Sequence, residues 1–367
     1  MNKSDSVKDL KVLWVTNLPS PYRLPIWNHL AKKVSLNVIF TLKEQNWRNW
    51  PPPQNVDWQF EYLSLWSKRI GEFALVPSMF GIGKRLKGID CVVVGGWESP
   101  IFIRVMLSAR IRRINIIQFY ESTLESHRFN NGLINLLRKV IFSMANVVVT
   151  PGSSSSRAVL AMGIPEKRIE TLFNPVDVKW FQQTSSTMIN KTQDKSLTGH
   201  KFLFVGRLVL LKNIEELIRA FAQIYNKEDI LTIAGQGDLL THLMRITSDL
   251  KVTNNVRFIG HQSATNLAYQ YATHQTLILP STNEVWGLVV NEALACGCQV
   301  IVSNKCGSAE FVKKMKGVQI CATNSVDIAE KMAKSRKNWN GRISEPEILQ
   351  YTPEKFADKL LKVIQNF

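Results

Sequence analysis

Two glutamates eight positions apart, Glu284 and Glu292, enclose a Trp-Gly-Leu turn in the segment EVWGLVVNE. A strand-like run, QTLILPS, comes just before it, and the helix-like run NEALACG continues from it. The spacing predicts one carboxylate in a loop and the other about one turn into a helix. A carboxylate there can accept two hydrogen bonds from a ribose diol, while backbone amides of residues 287–289 face a phosphate. Two solvated acids beside a helix start are the plain alternative.

A second segment, GRLVLLKN (206–213), carries two cations five positions apart. Gly206 permits a sharp turn after a predicted strand, and Arg207 and Lys212 flank the loop that leads into a helix. Two cations at the carboxyl end of a strand can clamp a diphosphate. Arginine and lysine are common in surface loops, so this segment alone does not establish a site.

The segment AGQGD (234–238) resembles part of a dinucleotide fingerprint, but Leu240 stands where the third glycine would fall. A tight turn after a strand is therefore the better interpretation. Such a turn can shape the floor of a nucleotide cleft without touching the ligand.

Strand-like and helix-like segments alternate through the first half of the chain. The apolar runs are KVLWVTN, SLNVIFTL, IDCVVVGG, INIIQFY and NVVVTPG, each separated from the next by an amphipathic stretch. Continuous apolar strands of this kind predict a parallel sheet covered on both faces. The pattern pauses at LFNPVDVKWF and the polar run that follows it, which we interpret as the link between two domains.

The same alternation resumes after the link, with KFLFVGR, DILTIAGQGD, NVRFIG, QTLILPS and QVIVSN as strands. Asn213 is placed to cap a helix with Glu216 three residues later. Near the end, Thr352 and Pro353 open a last amphipathic helix. The chain has 367 residues, 45% of them hydrophobic, which is enough for two cores. We therefore predict two doubly wound α/β domains, residues 1–176 and 177–350, and a final helix at 351–367.

The net charge of +17 is concentrated in the first half, where residues 1–175 hold 23 Lys or Arg against 12 Asp or Glu. Basic residues mix with apolar ones in KRIGEF, KRLK and RVMLSARIRR. This pattern suits an anionic membrane surface or a nucleic acid, and a solvated basic face is the alternative. No nucleic-acid recognition motif accompanies it, so we expect no nucleic-acid partner.

The amino-terminal residues lack an apolar run long enough for a signal peptide, and charged residues interrupt the most apolar segments. We therefore expect a cytoplasmic protein whose contact with the cell membrane is peripheral, at its inner face. Five cysteines suit a reducing compartment. Cys296, Cys298 and Cys306 could be imagined as a metal cluster, but ordinary packing is the better interpretation.

Taken together, the segments resemble family 4 of the retaining glycosyltransferases, which adopt the GT-B fold. GRLVLLKN is similar to the family's Gly-Arg-Leu-x-x-x-Lys loop, AGQGD to its Gly-x-Gly turn, and EVWGLVVNE to its Glu-x7-Glu signature. NVRFIG is similar to the strand before the base-binding loop, and LFNPVD to the Asn-x-Val-Asp before the linker. The resemblance implies two facing Rossmann-like domains, with the C-terminal helix crossing back to the N-terminal domain.

The resemblance also implies roles for the residues. The donor diphosphate would be held by Arg207 and Lys212 beside Gly206, and the ribose by Glu292. Glu284 and the amides near Gly287, Leu288 and Val289 would hold the transferred sugar. The residues implied for the base are Ile259, Gly260 and His261. Side chains and a helix dipole would balance the donor's charge, so neither a metal nor a cofactor is expected.

Acceptor contacts are expected in the first domain, where the chain departs from the commonest family pattern. Three loops are involved, LPSPYRLP, GGWESPIF and FYESTLESHR. The candidate residues in them are Pro19, Ser20, Tyr22, Trp97, Glu98, Tyr120, Glu121 and His127. Structural hydrogen bonding is the alternative role for these side chains.

The implied activity is transfer of a sugar, with retention of configuration, from a nucleotide-sugar to a glycan or lipid-linked acceptor in bacterial surface polysaccharide or lipopolysaccharide synthesis. Two alternatives remain open. A nucleotide-sugar epimerase of GT-B architecture would isomerise the donor without an acceptor. A basic nucleic-acid-binding protein would bind RNA with a steep salt dependence that nucleotide-sugar does not alter.

Overall fold

The structure is a computed structural model that describes residues 10–42, 50–63, 68–70, 73–75, 81–97, 99–124, 133–191 and 199–367. The chain forms two compact units. Unit 1 comprises Met1–Phe173 together with Pro353–Phe367, and unit 2 comprises Asn174–Thr352. The border between the units therefore falls three residues before the predicted end of the first domain.

Unit 1 contains a seven-stranded sheet in the order β3-β2-β1-β6-β7-β8-β9, in which every pair of neighbours is parallel. A short antiparallel pair, β4 with β5, lies outside this sheet. The strands are β1 (Lys11–Thr16), β2 (Ser35–Phe40), β3 (Gln59–Tyr62), β4 (Lys68–Ile70), β5 (Phe73–Leu75), β6 (Cys91–Val94), β7 (Asn115–Phe119), β8 (Val147–Thr150) and β9 (Ile169–Thr171). The helices of its first 173 residues are α1 (Leu24–Ala31), α2 (Ile82–Arg85), α3 (Pro100–Ile111), α4 (Leu133–Ser143) and α5 (Ser153–Ala161).

The central strands of unit 1 are buried on both faces, because β1 and β6 are apolar at nearly every position and helices cover both sides. Trp14 of β1 packs edge-on against Trp27 of α1, with ring centroids 5.8 Å apart. The strand order reverses between β1 and β6. Since ligands of open α/β sheets bind at such a reversal, the carboxyl ends of these two strands mark the place for a site in unit 1.

Unit 2 contains a six-stranded parallel sheet in the order β12-β11-β10-β13-β14-β15. Its strands are β10 (Lys201–Val205), β11 (Ile230–Ala234), β12 (Val256–Gly260), β13 (Thr276–Leu279), β14 (Gln299–Ser303) and β15 (Val318–Cys321). Its helices are α6 (Val178–Lys191), α7 (Ile214–Ile224), α8 (Leu240–Asp249), α9 (Ala264–Thr273), α10 (Leu288–Ala295), α11 (Ala309–Val312) and α12 (Ser325–Lys337). The order reverses between β10 and β13, which brings residues 206–213 and 280–287 to one edge of the sheet.

The segment interpreted as the link between the domains contains the border between the two units, and it is helical from Val178 to Lys191, which the sequence pattern did not indicate. Val178, Phe181 and Ser185 are buried at helical spacing in α6 and anchor it in unit 2. The polar residues between them face outward, which disguised the helix in the sequence.

The final helix, α13 (Pro353–Gln365), belongs to unit 1 and packs against α1. Asp358 of α13 accepts hydrogen bonds from Lys33 at 2.6 Å and from His29 at 2.9 Å. Phe356 lies in the core, with its ring 6.0 Å from Phe119. Pro353 is the first residue of the helix, as its fixed φ favours.

The prediction of two parallel-sheet α/β units is confirmed by these topologies. Within the described ranges, no helix is both long and apolar enough to cross a membrane. The five cysteines are free and buried, and burial raises the pKa of the Cys306 thiol to about 12. Among the residues that the structure describes, no three His, Cys, Asp or Glu side chains group together as metal ligands.

Candidate functional site

The loop after β10 is held in place by the glycine turn after β11. A Cβ on Gly235 would lie 1.8 Å from the carbonyl oxygen of Gly206, and one on Gly237 would lie 2.4 Å from that of Leu208. The amide of Leu208 donates to the carbonyl of Gln236 at 2.8 Å. The AGQGD segment is thus a tight turn that supports the 206–213 loop, and its two glycines are needed for the close backbone approach.

Asn213 ends this loop in the left-handed region, with φ of 57°. Its side chain makes no capping bond to α7 and instead donates to the carbonyls of Pro280 at 3.1 Å and Thr323 at 2.7 Å. Glu216 accepts from the amide of Ser325 at 2.7 Å. The predicted capping box was therefore wrong, because Asn213 joins the β10 loop to the β13 loop instead.

Lys212 and Glu284 form an ion pair across these two loops. Both side chains are largely buried, at 16% and 17% exposure. A backbone bond from Thr282 to the carbonyl of Leu211, at 2.9 Å, ties the same loops together. The lysine is therefore held by a carboxylate, while Arg207 lies exposed at the start of its loop.

The backbone around Glu284 pairs with the loop after β14. Glu284 bridges Cys306, and its carbonyl accepts from the amide of Gly307 at 2.9 Å. A Cβ on Gly307 would lie 1.9 Å from the carbonyl oxygen of Val285. These contacts fix the backbone at Glu284, and the ion pair with Lys212 holds its side chain, as a residue that orients a ligand requires.

Gly287 precedes α10 with φ of 87°, and a Cβ there would lie 2.5 Å from the side chain of Leu279. The helix begins at Leu288, so the amides of Leu288 and Val289 lie in its first turn, where the helix itself supplies no acceptor. The buried hydroxyl of Ser308 lies close to Gly287, and no described residue hydrogen-bonds to it. Together these groups form a set of donors suited to an anion.

Glu292 lies in the second turn of α10, half-buried, and accepts a hydrogen bond from the hydroxyl of Tyr271 at 2.8 Å. Burial raises the pKa of the Glu292 carboxyl to about 7, and the bond from Tyr271 opposes this rise. Tyr271 was missed in the sequence, because only the packing of α9 against α10 reveals the contact.

The predicted base-binding residues lie at the end of β12. The carbonyl of Gly260 accepts from the amide of Gly235 at 2.8 Å, and that of Ile259 accepts from the side chain of Gln262 at 2.6 Å. His261 is exposed. The segment therefore sits directly beside the glycine turn that supports the Arg207 and Lys212 loop.

In unit 1 the structure brings Glu121 to Arg23, with their carboxylate and guanidinium 2.6 Å apart. The guanidinium also lies over the rings of Phe119 at 5.4 Å and Trp14 at 6.0 Å. Arg23 was missed in the sequence. The pair lies beside the carboxyl ends of β1 and β7, near the reversal in strand order.

The other acceptor candidates are dispersed. Pro19 and Ser20 are buried in the loop after β1, and Tyr22 packs edge-on against Trp50 at 6.1 Å. Tyr120 is buried against Phe142, with ring centroids 5.0 Å apart. Trp97 lies under the guanidinium of Arg138 at 4.7 Å. Glu98 and His127 lie outside the described residues.

The second half of the chain is similar to known glycosyltransferases. Residues 186–347 match the family described as glycosyl transferases group 1. An uncharacterized glycosyltransferase of Methanocaldococcus jannaschii is 29% identical over 205 residues, which cover 53% of this chain and 52% of that protein. The N-acetyl-alpha-D-glucosaminyl L-malate synthase of Bacillus anthracis is 24% identical over 78% of this chain and 77% of its own length. The chain thus spans about half the length of the first relative and about three quarters of the second.

Among solved structures, Anabaena Alr3699/HepE in complex with UDP matches with a TM-score of 0.76. The match covers 98% of this chain and all of that one, at 14% identity. At this identity the likeness shows the fold alone. It agrees with the two parallel-sheet units and confirms the predicted GT-B fold class.

Proposed function

Because residues 186–347 match the group 1 glycosyl transferases, we propose that this protein is a glycosyltransferase that moves a sugar from a nucleotide-sugar donor to an acceptor hydroxyl. One observation carries the proposal. The Lys212–Glu284 ion pair and the first turn of α10 meet at the reversal in strand order of unit 2. Cation, carboxylate and free helix amides are the groups that a sugar diphosphate requires.

In this proposal Arg207 and Lys212 bind the diphosphate, with the amides of Leu288 and Val289 on its far oxygens. These cations and the helix N-terminus balance the donor's negative charge, so the site needs no metal ion. UDP is the first nucleotide to test, since Alr3699/HepE was crystallised with it.

Glu292 and Glu284 take different roles. Glu292 accepts hydrogen bonds from the ribose diol, and Tyr271 holds its carboxylate in position. Glu284 lies beside Lys212, where the diphosphate ends and the transferred sugar begins, so it binds sugar hydroxyls. Neither residue is half of an acid and base pair.

The transfer proceeds with retention of configuration. The acceptor oxygen forms a bond to the anomeric carbon on the face from which the phosphate leaves, and the bond from that carbon to the phosphate oxygen breaks. The acceptor proton passes to the leaving phosphate oxygen. Lys212 and the α10 amides stabilise the negative charge that develops on the phosphate, as preorganised donors do.

The acceptor is a glycan or a lipid-linked saccharide of a bacterial surface polysaccharide, and unit 1 binds it. The Arg23–Glu121 pair, at the carboxyl edge of its sheet, supplies a cation and a carboxylate for sugar hydroxyls. A lipid-linked acceptor also requires contact with a membrane.

An exposed face of unit 1 supports that contact. Ile111 and Leu107 on α3 are 80% and 48% exposed. Exposed cations lie on the same helix or just after it at Arg104, Arg110, Arg112 and Arg113, and on α2 or just after it at Lys84 and Lys87. Exposed apolar side chains interspersed with cations suit an anionic bilayer at its inner face. In sedimentation with vesicles at low salt, the protein should pellet with phosphatidylglycerol and stay in the supernatant with phosphatidylcholine; recovery in the supernatant in both cases contradicts the membrane contact.

A thermal-shift panel of nucleotides and nucleotide-sugars tests the donor site. A ligand at 100 times its dissociation constant should stabilise the fold by about 2.7 kcal/mol. Lys212→Ala should reduce the shift, whereas Lys314→Ala, which removes an exposed charge elsewhere on unit 2, should not. Incubating the best donor alone separates the activities, because isomerised donor without acceptor would indicate an epimerase.

A further inference from the structure

A cavity of about 400 Å³ lies in unit 2. It opens at the amino ends of β10, β11 and β13, where Lys201, Ile230 and Gln275 lie, and it extends under α9. The proposed donor site is at the carboxyl ends of the same sheet. The volume is within the range of pockets that bind small molecules, roughly 300 to 1,000 Å³.

The cavity is lined by three cations, Lys201, Arg257 and Arg342, and none of the described residues that line it is acidic. The side chain of Arg257 is exposed, and its guanidinium makes no hydrogen bond or ion pair with any residue that the structure describes. Arg342 is fixed by backbone carbonyls, among them those of His274 and Cys296, both at 3.0 Å. Its charge thus has no carboxylate partner among the described residues, and the cavity carries a positive potential.

His274 forms part of the cavity wall, and its pKa is affected by the same three cations. Its Nδ1 donates to the carbonyl of Gln270 at 2.7 Å, and its Nε2 accepts from the hydroxyl of Thr232 at 2.7 Å. Burial lowers the pKa of His274 to about 4, and the neighbouring charges of the three cations lower it further. The histidine is therefore neutral, and the positive charge of the wall comes from the lysine and arginines.

Two aromatic side chains complete the wall. Trp339 is half-buried and Tyr269 is 44% exposed. Cations beside aromatic rings suit a ligand that combines an anionic group with a planar or sugar ring. We propose that this cavity binds a small phosphate-bearing anion, at a site separate from the donor site. Its oxygens contact Arg257 and Lys201, and its ring lies against Trp339.

Pyrophosphate is the simplest probe, because it carries the proposed anionic group without a ring. Calorimetric titrations are made with the full chain and without UDP, because UDP could enter this cavity itself; the comparison is repeated with Lys212→Ala in both proteins, which weakens pyrophosphate binding at the donor site. The wild-type protein should bind pyrophosphate, and Arg257→Gln should bind it about tenfold more weakly, since one charged hydrogen bond is lost. Lys314→Gln is the matched control, because it removes one exposed charge elsewhere on unit 2.

Two results would overturn the proposal. One is no pyrophosphate binding to the wild-type protein at millimolar concentration; the other is equal binding by Arg257→Gln and wild type. UDP affinity, measured separately in each variant, should be unchanged. Because UDP and pyrophosphate binding are measured independently, failure of the donor site and failure of this cavity give different results. The ring contact is tested by titrating ADP and pyrophosphate into wild type and into Trp339→Ala. ADP should bind more tightly than pyrophosphate to the wild-type protein, and this advantage should be lost in Trp339→Ala.

Discussion

The hydroxyl of Tyr271 and the carboxylate of Glu292 are joined by a hydrogen bond of 2.8 Å between α9 and α10. Tyr271 is fully buried and Glu292 half-buried. Burial therefore makes the carboxylate costly to ionise, and its pKa rises to about 7. A ribose diol that donates two hydrogen bonds would favour the ionised form, so binding and ionisation of Glu292 are linked.

Nucleotide affinity should increase with pH between 5.5 and 8 because of this linkage. Below pH 7 Glu292 is mostly protonated, and binding must expel the proton. Affinity for UDP is measured by calorimetry in wild type and in Glu292→Gln, which cannot ionise. The difference in UDP affinity between the two proteins should grow with pH. Taking this difference cancels the titration of UDP itself, which is the same in both measurements. A difference that stays constant across this range contradicts the role of Glu292.

Lys212 and Glu284 should separate binding from transfer. Lys212→Ala removes a charged contact to the diphosphate and should weaken UDP binding about tenfold or more. Glu284→Ala releases Lys212 from its partner, so UDP should bind at least as tightly as to wild type, while sugar transfer falls about 100-fold. Calorimetry and a transfer assay measure the two effects. Equal loss of binding and transfer in Glu284→Ala would disprove the division of roles.

Two buried histidines should make the folded protein sensitive to acid. Burial lowers the pKa of His200 and of His274 to about 4, from the ordinary 6.5. Their contribution to stability is complete above pH 6.5 and is lost as pH falls toward 4, because only the unfolded chain takes up the protons. Each histidine should lower the free energy of unfolding by about 2 kcal/mol between pH 7 and pH 5.

Urea unfolding at these two pH values measures that loss. His274→Gln should reduce the pH dependence relative to wild type, whatever its effect on stability at pH 7. Glu292 acts in the opposite direction, because its raised pKa makes the fold more stable as pH falls from 7 toward 4.5. Comparing the slopes of variant and wild type isolates the histidine, and identical slopes would refute the prediction.

Gly235→Ala should destabilise unit 2 by about 3 kcal/mol, because the added Cβ would meet the Gly206 carbonyl oxygen at 1.8 Å. Gly163→Ala is the comparison. Its φ of 83° is also positive, as is the φ of 150° at Gly235, but no atom lies within 4 Å of the new Cβ, so only strain of about 1 kcal/mol is expected. Denaturant midpoints measure both, and similar losses would show that the close approach is unimportant.

The sequence was sufficient for the strand and helix alternation, because apolar runs and turn residues are local signals. It also indicated that 206–213 and 284–292 act together, and the structure joins them through Lys212 and Glu284. Contacts between elements that are distant in the chain could not be predicted from the sequence. Tyr271 reaches Glu292 only through helix packing, and Arg23 reaches Glu121 across 98 positions.

Asn213 shows why a local signal can mislead. The residue type and spacing fit a helix cap, but its backbone adopts the left-handed region and its side chain bonds to two carbonyls of other loops. Asparagine tolerates that region better than most residues, so the same residue serves either purpose. Only tertiary contacts decide between them.

The position of α13 has a consequence for the order in which the protein forms during synthesis. Unit 2 is one uninterrupted stretch, Asn174–Thr352, whereas unit 1 also needs Pro353–Phe367. The ribosome synthesises Asp358 after all of unit 2. The contacts of His29 and Lys33 with Asp358 can therefore form only after more than 300 further residues have been synthesised. The side of Phe119 that meets Phe356 stays uncovered for the same period. The half of the molecule that is translated first is therefore completed last.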